Sequence, residues 1–218
     1  MKNIFLSLLL ASNLFATSMR IDPRDTYIRK AEGFDVVILL EDVNDLGGVG
    51  LKLLFDKKSL RVETVTAGSL LEGDIFLEQI ENEEGWISIN AGKWEPGNGT
   101  GTIGSISFTC LASNPEGSLT LSEVILKTYS TPTTEIAVSP ITPGYVHPYP
   151  LEYFKVTAPS TFTAGLPSSV NITAFDRYGT VAEGYNGTVT LTVDNGTISP
   201  TSMRLAEGSL TAGITLTK

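Results

Sequence analysis

The sequence predicts an all-β protein in two modules, and three observations carry that reading. Apolar residues recur at every second position in short runs. Val49, Leu51, Leu53 and Phe55 alternate with Gly50, Lys52 and Leu54, and residues 187–194 read GTVTLTVD. That two-residue period belongs to strands with one buried face. Turn chemistry punctuates the runs: Asp56-Lys57-Lys58-Ser59, Asn114-Pro115-Glu116-Gly117, and Asn-Gly pairs at 186–187 and 195–196. Only 18% of residues are charged while glycines number 21, a balance suited to many strands joined by turns.

Residues 1–16 read as a secretory leader. Lys2 precedes an apolar run over residues 4–10, and Ala16 is a small residue at a cleavage position. The run is too short for a comfortable membrane span, so export without membrane insertion is expected, to a secreted or cell-surface location. Cys110 is the one cysteine and cannot form an internal disulfide; packing must hold the fold. The net charge of −9 is concentrated in residues 17–150. It argues against nucleic acid, because phosphate binding needs clustered cations.

Taken in order, Met19 to Asp22 form a short strand ended by Pro23. Residues 31–33 turn, and residues 34–43, FDVVILLEDV, form a strongly apolar strand. Residues 49–55 make the next strand. The turn at 56–59 leads to an apolar, β-branched run holding Leu60, Val62 and Val65. Residues 73–80 form a strand before the acidic turn at 81–85. Residues 86–91 alternate again, 94–101 read as a glycine-rich loop, and 102–111 form a strand with Ile106, Phe108 and Cys110 inward. Leu119 and Leu121 mark another strand, and residues 136–146 supply the last. A proline-rich linker over 147–152 follows, where proline blocks helix and ladder continuation. In residues 153–218, strands are expected at 154–157, 168–176, 187–194 and 209–217. The sequence stops at Lys218, directly after the last of these and without a closing strand, so a fragment of a longer protein or a truncated gene model is expected.

The run ending in Phe55-Asp56, a short turn, then Leu60-x-Val62-x-x-Val65-x-x-Gly68-Ser69 resembles the cohesin domain, the extracellular β-sandwich best known for binding dockerin modules in cellulosomes. Ile21-Asp22-Pro23 and Gly99-Thr100-Gly101-Thr102-Ile103 fit the same pattern. The resemblance covers residues 19–146 of a module placed at 17–146. It implies a nine-stranded jelly-roll β-sandwich without catalytic activity. It further implies that the sheet holding the third, fifth, sixth and eighth strands meets a dockerin-like partner. The outward residues there are Gly50, Lys52, Leu54, Ser88, Asn90, Thr120 and Ser122. The second module is similar to bacterial Ig-like repeats and implies an incomplete Ig-like β-sandwich.

Other constellations carry less. Gly99-x-Gly101-x-x-Gly104 spells a dinucleotide fingerprint, but a β-branched strand follows where a helix is required. Residues 41–47 are acidic, yet Leu46 and Leu53 occupy positions where a calcium loop needs oxygen ligands. No cofactor is implied; a structural calcium is compatible with the acidity, with no ligands assigned. His147 is the only histidine and lies in the expected linker, so no catalytic triad or histidine metal cluster can be assembled. Cys110 reads as a small core residue. Trp86 and Trp94 flank one strand and are candidates for stacking on a polysaccharide, or for core or rim anchors. Asn98, Asn171, Asn186 and Asn195 open N-x-T sequons. Three functions remain open at this point: protein docking, carbohydrate binding, and a structural spacer at a cell surface.

Overall fold

The computed structural model describes residues 16–217; apart from Ala16, the expected leader lies outside the described residues. All regular elements among the described residues are strands. The first module holds β1 (Ser18–Asp22), β2 (Asp25–Ile28), β3 (Gly33–Leu54), β4 (Leu60–Ala67), β5 (Ile75–Glu81), β6 (Trp86–Cys110), β7 (Gly117–Thr128), β8 (Glu135–Ile136), β9 (Ile141–Thr142) and β10 (Gly144–Pro148).

β3 and β6 organise this module. They pair antiparallel along their whole length, from Gly33 opposite Thr109 to Leu54 opposite Trp86. Their outer halves serve different leaves of a jelly-roll sandwich. The first half of β3 pairs with β1, and the second half of β6 pairs with β4, giving the leaf β9-β1-β3-β6-β4. The second half of β3 pairs with β7, and the first half of β6 pairs with β5, giving the leaf β2-β10-β7-β3-β6-β5.

The passage between leaves corrects the sequence reading. Residues 94–101 are expected as a loop, and residues 44–48 fall between two expected strands; both stretches lie within the ladder, facing each other. Val43 stands opposite Gly99 and Leu46 opposite Gly97, with register shifts on both sides. Asp42 and Asp45 take φ of 54° and 59°, the left-handed region that aspartate tolerates better than most residues. Such bulges bend and twist a strand without ending it.

Alternate side chains from both leaves fill one core. Ile38, Leu40, Leu46, Leu53, Ile87, Ile89, Ile103 and Ile106 are fully buried. Phe108 stacks on Phe34 at 5.3 Å and meets Phe55 edge-on at 5.6 Å. Burial of a side chain of this size contributes about 1.5–3 kcal/mol. Cys110 is buried in the same cluster, where desolvation pushes its thiol above the usual range. It packs as a small apolar residue, as its alternating strand implies.

The segment expected as one last strand is divided among β8, β9 and β10. β10 reaches into the expected linker: His147 and Pro148 pair with Tyr27 and Ile28 of β2. His147 is therefore part of a sheet edge, 3.1 Å from the Asp25 carboxylate.

Beyond it lie β11 (Leu151–Thr157), β12 (Pro167–Asp176), β13 (Thr188–Thr190), β14 (Thr197–Ser199), β15 (Ser202–Arg204) and β16 (Ser209–Thr217). A four-stranded sheet runs β11-β12-β16-β14, and β13 pairs with β15. Val170, Ile172, Ala174, Val189, Leu205 and Ile214 form its small core. The run at 187–194 forms a strand only over its first part, β13.

Candidate functional site

The outward surface of the β7-β3-β6-β5 leaf is a grid whose rows follow from strand register. One row runs Ile125, Gly50, Asn90, Leu77; the next runs Ser122, Lys52, Ser88, Gln79; a third runs Thr120, Leu54, Trp86, Glu81. All seven positions expected to face a partner lie on this grid. Their strand neighbours Leu51, Leu53, Ile87, Ile89, Leu119 and Leu121 are buried beneath it. The two-residue period places these sets on opposite faces.

The centre of the grid is small and polar. Gly50, Lys52, Ser88, Asn90, Trp86, Glu123 and Ile125 line a shallow depression of about 260 Å³. Gly50 floors it beside Asn90. Lys52 crosses the depression: its Nζ lies 4.3 Å from the Trp86 ring centroid and 3.8 Å from a Glu123 carboxylate oxygen. Ser122 Oγ donates to the Lys52 carbonyl at 3.4 Å. Around this centre stand exposed apolar side chains: Leu54 (39%), Ile125 (46%), Ile75 (45%) and Leu77 (64%). A second hollow opens past Leu54 and Thr120, lined also by Phe55, Asp56, Gly117 and Ser118. Asp56 is held below the usual carboxylate range, chiefly by the Ser59 hydroxyl, which donates to it at 2.6 Å.

Ile125, Leu77, Ile75, Gln79 and Glu123 escape the sequence reading. Glu123 is the reason on β7. Its φ of 52° marks a bulge, and the register shifts between Gly50 and Lys52. Before the bulge odd-numbered residues point inward (Leu119, Leu121); after it even-numbered ones do, and Leu126 is buried while Ile125 is exposed. The interruption of alternation at Ser122-Glu123-Val124 is the available signal. On β5, an edge strand, the apolar residues Ile75, Phe76, Leu77 and Ile80 show no clean period.

The two tryptophans do not form one platform. Trp86 belongs to the grid and has Lys52 over its ring. Trp94 lies eight residues further along β6, where the bulged corner begins, and is 65% exposed. Its backbone is clamped: its N–H donates to Asp74 at 2.8 Å and its carbonyl accepts from the Tyr129 hydroxyl at 2.9 Å. Asp74 is paired with Lys93, the two side chains 9% and 11% exposed, and this contact holds the Asp74 carboxyl below its usual range. The Gly99–Gly104 run is ladder within β6. Among the described residues, no group of three or more His, Cys, Asp or Glu is gathered to hold a metal ion.

No protein-family model matches the chain, and no curated protein matches it. Solved structures do. A non-cellulosomal cohesin from the hyperthermophilic archaeon Archaeoglobus fulgidus matches 62% of this chain over 93% of its own, at TM-score 0.54 and 20% identity. The third cohesin of ScaC from Acetivibrio cellulolyticus, solved in complex with the ScaB dockerin, matches 60% of this chain over 97% of its own, at 0.52 and 20%. A type I cohesin–dockerin complex from Clostridium thermocellum, Coh-OlpC–Doc435, gives 62% and 94%, at 0.54 and 12%. Identities this low speak to the fold alone. The module built on β3 and β6 is a cohesin-like β-sandwich.

Proposed function

We propose that this protein is a non-catalytic extracellular docking module whose β7-β3-β6-β5 face binds a dockerin-type protein partner. The observation that carries the reading is the grid itself: exposed Leu54, Ile125 and Leu77 surrounding a small polar centre of Gly50, Ser88 and Asn90. An apolar contact area with hydrogen-bonding groups interleaved is what a protein interface requires. Similar folds crystallised with dockerins support the partner class. The cation lying over Trp86 favours protein over glycan on this face, because a sugar stacking there would have to displace Lys52. The leader-like residues 1–16 support export, with the module working outside the cell.

Titration of the chain against a panel of dockerins by calorimetry tests this. At least one dockerin binds, and Leu54→Asp and Asn90→Asp each weaken binding at least tenfold, about 1.4 kcal/mol. Unchanged affinity in both variants refutes the face, and silence across the panel refutes the partner class.

A further inference from the structure

Two registers converge where the modules meet. In the first, β10 runs parallel to β2 with Pro148 beside Ile28, so Tyr149 and Arg29 are the next residues along each strand. In the second, β11 begins with Leu151 opposite Asp176. Only Tyr149 and Pro150 separate β10 from β11, and the prolines at 148 and 150 restrict the chain on either side of Tyr149. Arg29 of the first module is thereby delivered to the Asp176 turn of the second.

The contacts there are specific. The Arg29 guanidinium lies 5.2 Å from the Tyr149 ring centroid and 5.7 Å from that of Tyr178. It donates to Thr180 Oγ1 at 2.6 Å and stands 4.0 Å from Asp176 Oδ2. The Asp176 side chain is 3% exposed, and its other oxygen accepts from the N–H groups of Tyr178 and Thr180. Tyr149 and Tyr178 meet edge to face at 5.1 Å. Burial pushes the Tyr149 hydroxyl above its usual range, and the charge of Glu32 acts in the same direction. Elsewhere on the junction, a Cβ added to Gly184 would stand 2.6 Å from Asn114 Oδ1; a glycine lets the two modules close there.

We infer that Arg29 locks the two modules into one rigid body, so that the second module projects from the sandwich in a fixed direction. Modules joined by small polar interfaces ordinarily move against each other. This junction differs in three ways. The linker has two residues, the cation lies over two tyrosine rings and donates to Thr180, and the Asp176 carboxylate that it faces, with Glu32 of its own module on its other side at 3.4 Å, is withdrawn from water. The proposal concerns how the modules are joined and does not rest on the docking face.

Backbone ¹⁵N relaxation on the chain tests it, with rotational correlation times extracted separately for residues 18–148 and 151–217. The wild type gives one common value. Arg29→Ala, or Gly184→Val acting from the other module, gives two values, the smaller module tumbling faster. Each variant's amide dispersion reports whether both modules stay folded, and the two substitutions lie in different modules, so a folding failure in one leaves the other decisive. Separate correlation times in the wild type, or one common value retained by either variant in its folded state, overturn the lock.

Discussion

Lys52 places its ammonium 4.3 Å from the centre of the Trp86 ring, one strand across and one row along the outward grid. The contact ties β3 to β6 at the middle of the exposed face. A cation over an indole at a partly exposed site contributes about 0.5–1 kcal/mol. Lys52→Ala and Trp86→Ala, singly and together, form a cycle in urea denaturation that returns a coupling of that size. Additive losses would show that the two side chains do not support each other in solution.

The strand that carries Lys52 also separates surface from core within one residue. Leu53 is 0% exposed. Leu53→Asp forfeits about 2 kcal/mol of apolar burial and adds the cost of withdrawing a carboxylate from water. Lys52→Asp leaves that core untouched and loses only the Trp86 and Glu123 contacts. Thermal melts separate the two by many degrees, the Leu53 variant far lower; similar midpoints would mean the inward face of β3 is misread.

How much of this was legible depends on parity. Gly50, Lys52 and Leu54 were readable because β3 alternates without interruption from Val49 to Leu54, and Ser88 and Asn90 because Ile87 and Ile89 fix the opposite set. Ile125 was not, because the bulge at Glu123 exchanges the two faces of β7 midway, and a one-residue insertion inverts every later position. The continuity of β3 and β6 was hidden for a related reason. Asp42, Asp45, Gly97 and Gly99 are the residues that end strands in turns, and also the ones that bulged ladders use at a corner. The junction lay beyond pattern altogether. Arg29 and Asp176 are distant in sequence, and only the parallel pairing of β2 with β10 brings them together.

Asp74 gives the corner near Trp94 a pH dependence. Its carboxyl is lowered first by Lys93, then by the Trp94 N–H. A depressed folded value means the stabilisation is present above the unfolded value and is lost as pH falls through the folded one. Asp74→Asn leaves the Lys93 ammonium with the Leu70 carbonyl but without its counter-charge and costs on the order of 1–3 kcal/mol at neutral pH. The gap between wild type and variant holds down to about pH 4, the ordinary aspartate range, and closes below it. Urea midpoints across pH 2.5 to 7 check this; a gap that widens in acid would reverse the sign and refute the pairing.

Two glycines with the same backbone twist separate conformation from contact. Gly73 and Gly85 have φ of 79° and 78°. An added Cβ meets nothing within 4 Å at Gly73, whereas at Gly85 it lies 2.6 Å from the Phe55 carbonyl oxygen. That oxygen belongs to backbone held in place by the Phe55 N–H, which donates to the Gly85 carbonyl at 2.9 Å. Gly73→Ala therefore costs only the left-handed penalty, about 1–2 kcal/mol. Gly85→Ala adds displacement of the β5–β6 turn from the end of β3, beside the Leu54 and Trp86 row of the exposed face. Its loss in urea denaturation exceeds that of Gly73→Ala, and partner affinity falls with it, while Gly73→Ala binds as wild type does. Equal losses in stability would mean that the turn moves freely against β3, and the end of the grid would then have no fixed geometry to offer a partner.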